Sequence, residues 1–178
     1  MRVISGRARG LKLNSPIDLE TRPTLDRVKE AVFSMLLPYI QDSLVLDMFS
    51  GSGALAIEAI SRGAKHAVMV DCNMQSIKCI KNNVRIARME ENSTIIFSDA
   101  FSYLKKCEKI FDIIFLDPPY DSQLYEQATE AAFEVLSEEG IVVVEWDYEI
   151  GRPLLTKKLA VFKEKKYGRV GITLLKKG

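Results

Sequence analysis

Residues 44–53 decide the fold of this chain, and they read LVLDMFSGSG. An apolar run typical of a buried strand ends in Asp47, and a glycine-rich turn then leads into a helical pattern. Gly51 and Gly53 permit backbone angles, and a close approach to a ligand, that a side chain would hinder. Ligands of open α/β sheets bind at the carboxyl ends of the strands, where this turn lies. The stretch therefore predicts a ligand site at the edge of a mainly parallel sheet.

Outward from this turn, strand and helix patterns alternate along the chain. The strand patterns cover 44–48, 66–71, 94–97, 111–116 and 141–145. The helical patterns between them cover 54–61, 74–89, 101–107 and 125–136. This alternation predicts an α/β fold, with βαβ units and helices on both faces of a mainly parallel sheet. Two further strands, at 159–165 and 170–175, flank Tyr167-Gly168 and predict an antiparallel C-terminal hairpin.

The N-terminal residues have a different pattern. Short apolar runs in residues 2–15 are interrupted by glycines, which predicts a β-hairpin. A helix is expected to follow, with Thr24 as its cap and an end at about Leu37, because Pro38 disfavours the helical conformation before it. We expect residues 1–40 to form a hairpin-helix extension that contacts RNA, and residues 41–178 to form the main domain.

The composition is that of one globular domain, since the chain has 178 residues and 47% of them are hydrophobic. The longest apolar runs have the length of strands, which excludes a membrane helix, and no secretory signal is evident. The 3 cysteines lack the spacing of a disulfide framework, so a cytoplasmic location is expected. A single histidine, His66, argues against a zinc site and against Ser-His-Asp catalysis.

Positive charge is concentrated at the two ends of the chain. Residues 1–14 carry +4 and residues 157–178 carry +7, although the whole chain carries only +1. This asymmetry fits an anionic partner that contacts both ends. Solvated tails or exposed strand faces explain it equally well.

Asp47 helps to identify the ligand of the glycine-rich turn. A dinucleotide site requires a related glycine pattern, and Ala56 is tolerated at its third position, so the pattern alone is ambiguous. A carboxylate directly before the turn would repel a pyrophosphate, however, and would suit a cationic ligand. S-adenosylmethionine is such a ligand, because it carries a sulfonium and an ammonium group. A purely structural turn is the alternative.

Two more acids follow later strands. Asp71 ends the second strand, where it could accept hydrogen bonds from both ribose hydroxyls of a nucleoside or serve as a solvated turn residue. Asp99 follows the third strand, where it could accept from an adenine amino group while the backbone N–H of Ala100 donates to the ring. Capping of the next helix by Asp99 is an equally good interpretation.

The sequence at 117–120, Asp-Pro-Pro-Tyr, is the most specific motif. The two prolines stiffen the loop and remove two N–H donors, so that carbonyls and the Asp117 carboxylate are left as acceptors. Such acceptors hold both hydrogens of an exocyclic amino group and concentrate electron density on its nitrogen. Tyr120 can stack on the target base.

These four motifs together resemble those of class I S-adenosylmethionine-dependent methyltransferases that act on amino nitrogens. The start of the chain is similar to one bacterial family, which methylates guanine N2 in small-subunit (16S) ribosomal RNA. The segments that carry this similarity are 1–6, 9–10, 21–24, 26–30, 49–55 and 58–64, and Tyr167-Gly168 resembles the C-terminal hairpin of that family. The resemblance implies a Rossmann-like methyltransferase sheet, S-adenosylmethionine as methyl donor and 16S RNA in the 30S particle as partner. A monomer that binds no metal is expected.

Motifs and resemblance together identify three groups of site residues. The catalytic group is Asp117, Pro118 and Tyr120. The donor-binding group is Asp47, Phe49, Gly51, Gly53, Asp71, Asp99 and Ala100. The phosphate-contact group is Arg2, Arg7, Arg9, Lys12 and Arg22, although Arg22 could instead pair with Asp26 or Glu30.

Three other functions compete with this one. A DNA adenine-N6 methyltransferase shares the motif at 117–120 but usually needs a target-recognition segment, for which 178 residues leave little room. A nucleotide-dependent oxidoreductase would need a catalytic His, Tyr or Lys arrangement, and Asp47 disfavours its pyrophosphate. A noncatalytic RNA-binding assembly factor would not need the intact motif at 117–120.

Overall fold

The computed structural model describes residues 1–16, 23–118 and 122–178. Its helices are α1 (Pro23–Ile40), α2 (Ala54–Ser61), α3 (Met74–Ala87), α4 (Ala100–Leu104) and α5 (Ser122–Val135). Its strands are β1 (Leu44–Asp47), β2 (His66–Asp71), β3 (Ser93–Phe97), β4 (Phe111–Leu116), β5 (Leu136–Asp147), β6 (Leu159–Tyr167) and β7 (Val170–Lys177). A short 3-10 turn, Glu90–Asn92, precedes β3.

All seven strands form one sheet in the order β3-β2-β1-β4-β5-β7-β6. The first five in this order are parallel, and β7 runs antiparallel to both β5 and β6. The order reverses between β1 and β4, which is the point where open α/β sheets bind their ligands. The predicted α/β fold with an antiparallel C-terminal hairpin is therefore confirmed.

Helices cover both faces of this sheet. One hydrophobic cluster packs α1, α2 and α3 on one face, and a second cluster packs α4 and α5 on the other. The central strands are thus buried on both sides, which explains why β4 and β5 contain nearly continuous apolar runs. In the described parts of the chain, no helix is long and apolar enough to cross a membrane.

Helix α1 is longer than predicted at both ends. It begins at Pro23, so Thr24 lies inside its first turn and does not precede it; proline is well suited to that first position. It continues through Pro38 to Ile40, and the predicted end at Leu37 was wrong. The side chain of Ile40 is only 1% exposed, so core packing holds the last turn despite the N–H that proline lacks.

Three other element boundaries differ from the predicted ones, at the start of β5 and at the ends of α4 and α3. Strand β5 begins at Leu136, which pairs with Phe111 before the register shifts, and the predicted start at 141 was too late. Helix α4 ends at Leu104, three residues before the predicted end, and α3 ends at Ala87 because Arg88 adopts a left-handed conformation.

The N-terminal segment folds back as predicted, but with a single antiparallel bridge between Arg2 and Lys12. The N–H of Val3 donates to the Leu11 carbonyl at 2.9 Å. Gly6 is required at the turn, since its φ is +84° and a Cβ there would lie 1.8 Å from the carbonyl oxygen of Ser61 in α2. The turn therefore lies directly against α2.

A buried carboxylate attaches this segment to the sheet. Glu58 in α2 is fully buried and accepts hydrogen bonds from the N–H groups of Ile4 and Ser5, at 2.8 and 3.0 Å. It also pairs with Lys29 of α1 at 3.2 Å and with Arg62 at 2.7 Å. A buried charge is tolerated only when it is paired and hydrogen-bonded, as this one is.

A second anchor lies on α3. The buried amide of Asn83 accepts from the N–H of Asn14 at 2.8 Å and donates to the Asn14 carbonyl at 3.0 Å. It also donates to the Ser52 carbonyl in the glycine-rich turn at 2.9 Å. This one side chain joins the end of the N-terminal segment to the predicted ligand site.

Glu58→Gln is expected to destabilise the protein strongly, because it leaves the buried ammonium of Lys29 without its counter-charge. Breaking such a pair costs about 3–5 kcal/mol of unfolding free energy, which urea denaturation measures. Glu91→Gln, at an exposed position, is the matched control and should change it by less than about 0.5 kcal/mol. Equal stability of the two variants would contradict the anchor.

Candidate active site

Four acidic residues meet at the carboxyl edge of the sheet. Asp47 and Asp71 are the last residues of β1 and β2, Asp117 follows β4 directly, and Glu145 lies near the end of β5. A cavity of about 180 Å³ opens at this edge and is lined by Asp47, Phe49, Gly51, Asp117 and Glu145, among others. Gly53, Asp71, Asp99 and Ala100 lie outside the described lining of this cavity.

The glycine-rich turn forms part of the cavity wall and leaves open space beside its backbone. Gly51 and Gly53 have φ values of +55° and +76°, which favour glycine. A Cβ on Gly51 would meet no atom within 4 Å, so the space beside its backbone is free for a ligand. The turn is braced by Ser50, whose hydroxyl donates to the Asp47 carbonyl at 2.8 Å.

Asp47 carries an electrostatic cost that the described residues do not neutralise. Its side chain is 4% exposed. Burial, and then the nearby charges of Asp117 and Asp71, raise the pKa of Asp47 to about 7, against the opposing effect of hydrogen bonds from the N–H groups of Phe49 and Ala56. A carboxyl in this state would be stabilised by a cationic ligand.

Asp71 joins two parts of the site through its carboxylate. Oδ2 accepts from the N–H of Gly51 at 2.8 Å, and Oδ1 accepts from the N–H of Asn73 at 2.8 Å. Each carboxylate oxygen can accept more than one hydrogen bond, so Asp71 keeps capacity for a ligand hydroxyl. The predicted ribose contact stays a prediction.

Asp99 caps α4 through its side chain. Its Oδ1 accepts from the N–H of Ser102 at 2.9 Å, and the following Ala100 is buried as the first residue of that helix. The capping interpretation of Asp99 is therefore confirmed. The contacts of Asp99 and Ala100 with adenine stay predictions.

Asp117 and Glu145 lie next to each other across β4 and β5. The pair Leu116 and Val144 is in register, and each acid directly follows one member of it. Asp117 is exposed as a whole residue, but desolvation of its carboxyl by the surrounding residues raises its pKa. Burial and the charge of Asp117 raise the pKa of Glu145.

Glu145 is a site residue that was not predicted, although the sequence contains a signal for it. It ends the apolar run at 141–144, as Asp47 and Asp117 end theirs. Pro118 follows Asp117 and is buried, whereas Tyr120 lies outside the described residues. In the described ranges, no group of three or more His, Cys, Asp or Glu side chains could hold a metal ion.

The N-terminal segment and α1 complete the cavity wall. Met1, Val28, Lys29 and Val32 line it, which the sequence did not predict. Lys29 also donates to the backbone carbonyl of Arg2, and burial lowers the pKa of its ammonium. The wall is therefore attached to α2 through the Glu58 pair.

A basic groove of about 870 Å³ adjoins the cavity and shares Met1 with it. The predicted phosphate-contact residues Arg2, Arg9 and Lys12 line it, together with Arg27. Acidic side chains line it as well, and one of them, Asp26, pairs with Arg2 at 3.1 Å.

The other two predicted RNA-binding residues are Arg7 and Arg22. Arg7 donates to the Asn92 side chain at 2.7 Å and is not part of the described lining. Arg22 lies outside the described residues.

Comparison with known proteins places this geometry in a family. The family model described as "Conserved hypothetical protein 95" matches residues 1–176. The chain is 37% identical to "Putative rRNA methyltransferase YlbH" of Bacillus subtilis, over 99% of each protein. It is 35% identical to "Ribosomal RNA small subunit methyltransferase D" of Escherichia coli, over 98% of this chain and 88% of that protein.

The solved structures agree. "Putative methyltransferase yhhF from Escherichia coli" matches with a TM-score of 0.88 at 31% identity, over 99% of this chain and 97% of that one. The sheet is thus that of class I methyltransferases, and the resemblance drawn from the motifs is confirmed. The chain belongs to the family described as "Conserved hypothetical protein 95", whose relatives include small-subunit ribosomal RNA methyltransferases.

Proposed function

We propose that this protein transfers a methyl group from S-adenosylmethionine to the exocyclic N2 of one guanine in 16S ribosomal RNA, in the 30S particle. The observation that carries the proposal is the convergence of Asp47, Asp117 and Glu145 on one cavity at the switch point of the sheet. Membership in a methyltransferase family supports the reaction type, and the names of the relatives support the RNA class.

The donor side of the cavity fits a cationic nucleoside. Desolvation makes the Asp47 carboxyl costly to ionise, and a nearby sulfonium or ammonium group offsets that cost. The free space beside Gly51 lets a ligand lie directly against the backbone. The Asp71 carboxylate can still accept hydrogen bonds from ribose hydroxyls. When bound, the donor supplies an electrophilic methyl carbon: its C–S bond breaks as the new C–N bond forms, and a neutral thioether leaves.

The acceptor side is built from hydrogen-bond acceptors. The Asp117 carboxyl and the Pro118 carbonyl accept the two amino hydrogens and orient the nitrogen lone pair, while Pro118 offers no competing N–H. The raised pKa of Asp117 suits it to receive the proton that nitrogen loses after methyl transfer. The sequence still assigns stacking on the base to Tyr120.

The groove beside the cavity is the proposed RNA contact, with residues 1–40 as the RNA-binding extension. Arg9 and Lys12 are exposed and form no ion pair with any described residue, so they are free to contact phosphates. The groove and the cavity share Met1 in their walls, so an RNA strand bound in the groove would pass next to the cavity.

The proposal is tested with purified protein, methyl-labelled S-adenosylmethionine and unmethylated 30S subunits. The RNA is digested to nucleosides and the label is located by chromatography. Label in N2-methylguanosine is the expected result. Label in another nucleoside, or methylation of DNA adenine in a parallel reaction, would replace the proposed substrate.

Asp47→Asn is expected to weaken binding of S-adenosylmethionine about 10- to 100-fold, because it removes a charge-assisted interaction. In the wild type the affinity should rise between pH 6 and pH 8, since Asp47 gains charge as the pH passes its pKa of about 7. Isothermal titration calorimetry measures both effects. Asp42→Asn, at an exposed residue, should keep wild-type affinity and pH dependence; a pH-independent wild type would contradict the assignment.

Asp117→Asn is expected to lower the rate of methyl transfer at least about 100-fold, since it removes an acceptor aligned with the reacting nitrogen. Single-turnover assays on 30S subunits measure the rate. Affinity for S-adenosylmethionine should change far less than in Asp47→Asn. A near-normal rate would show that the motif at 117–120 is structural.

Combined Arg9→Gln and Lys12→Gln substitutions are expected to weaken binding to 30S subunits and to lower the slope of log affinity against log salt by about 2. The matched control is Lys78→Gln with Lys81→Gln, which removes two exposed lysines from α3. Filter binding at several salt concentrations provides the slopes. Equal slopes for the two double variants would remove the groove from the RNA-binding surface.

A further inference from the structure

Glu145 is an acid in the cavity wall for which the methyl-donor chemistry provides no role. It lines the cavity together with Asp117, and the register of β4 and β5 places the two acids side by side. Tyr125 donates to its backbone carbonyl at 3.1 Å, which fixes the main chain at this point of β5.

The Glu145 carboxyl itself makes no hydrogen bond and no ion pair with any side chain or backbone group in the described ranges. Its nearest electrostatic neighbour is another acid, Asp117, and this repulsion together with burial raises the pKa of Glu145. Glu145 is half-buried, so water can reach its carboxyl only in part, and a partly desolvated acceptor without a donor is costly in a folded protein. A ligand that brings N–H groups would remove that cost.

The bases that carry an amino group differ in what lies beside it. In guanine, the N2 amino group is next to N1–H, so two donors lie side by side. In adenine and cytosine, the amino group is next to a ring nitrogen with a lone pair. The two donors of guanine stabilise the ionised form of the Glu145 carboxyl against its raised pKa. An ionised carboxylate is an acceptor only, so it binds the guanine pair and repels the ring lone pair of the other two bases.

We infer that Glu145 is a specificity-determining residue: its carboxylate accepts a hydrogen bond from guanine N1–H, while Asp117 holds the adjacent amino group. The inference rests on the proposed function and extends it, because it explains why an acceptor loop shared with adenine enzymes would select guanine. Two neighbouring acids match two neighbouring donors, and the spacing follows from adjacent strands of the sheet.

The experiment compares guanine with 2-aminopurine at the modified position. 2-Aminopurine keeps the amino group at C2 but has a lone pair at N1 in place of the N–H, and a hydrogen at C6 in place of the oxygen. The change of preference caused by Glu145→Gln therefore separates the N1 contact from any contact with the C6 oxygen. The methylated guanosine is first mapped in 16S RNA, and RNA carrying 2-aminopurine there is made by ligation and reconstituted into 30S subunits. Methyl-transfer kcat/KM is then measured on both substrates.

The wild type should prefer guanine over 2-aminopurine by roughly 10- to 100-fold, the discrimination expected of one well-placed base contact. Glu145→Gln should lose activity on guanine and should lower this preference at least about 10-fold, because its amide N–H can donate to the N1 lone pair. If Glu145 had only a structural role, the substitution would lower kcat/KM for both substrates by the same factor.

Glu149→Gln is the matched control, since Glu149 is exposed and pairs with Arg169 on the surface. It should retain the wild-type preference. Melting temperature and affinity for S-adenosylmethionine are measured for each variant to confirm that the fold and the donor site are intact.

Two results would overturn the inference while the proposed function stands. One is a wild-type protein that methylates guanine N2 and 2-aminopurine equally well. This outcome is measured without any variant, so it does not depend on whether a variant folds. The other is an unchanged preference in Glu145→Gln. A wild type that places no label on guanine N2 would instead refute the proposed function.

Discussion

The carboxyl of Asp47 lies buried at the end of the first strand, beside two other acids, and the site depends on this constraint. In water each of these carboxyls would be ionised near neutral pH, but desolvation and mutual repulsion raise the pKa of Asp47 to about 7. A fold retains such a group where a ligand offsets its cost. This environment therefore favours a cationic ligand, which agrees with the proposed methyl donor.

A second buried carboxylate has the opposite environment. Glu58 accepts two backbone N–H groups and pairs with Lys29 and Arg62, so its charge is fully compensated inside the protein. The same Lys29 lines the cavity and donates to the N-terminal segment. The basic groove and the cavity are thereby held in one arrangement by contacts with the core.

The sheet and the acids that follow the apolar runs of β1, β2 and β4 could be predicted from the sequence because they depend on local patterns. Apolar runs that end in an acid marked the strands, and Gly51 in the turn marked the open side of the cavity. The path of α1 through Pro38 could not be predicted, because burial of Ile40 in the tertiary core outweighs the local preference. Glu145 was overlooked since its significance depends on which strand pairs with β4.

The ion pairs of Glu58 could not be predicted for a related reason. Arg62 lies one helical turn after Glu58, but the other partners are distant along the chain. Lys29 is 29 residues before Glu58, and the N–H of Ser5 is 53 residues before it. Only the folded structure brings these groups together. Asp99 shows the converse case, since a local rule for helix caps predicted its hydrogen bond to Ser102 correctly. Local rules thus describe elements and caps, whereas the compensation of buried charge requires the tertiary fold.

The most direct test of this account is the number of protons exchanged when S-adenosylmethionine binds near pH 7. It is obtained by isothermal titration calorimetry in two buffers that differ in ionisation enthalpy. If Asp47 is partly protonated in the free protein and ionised beside the cation, binding releases a fraction of a proton, and Asp47→Asn abolishes that release. Binding without proton release in the wild type would contradict the central claim.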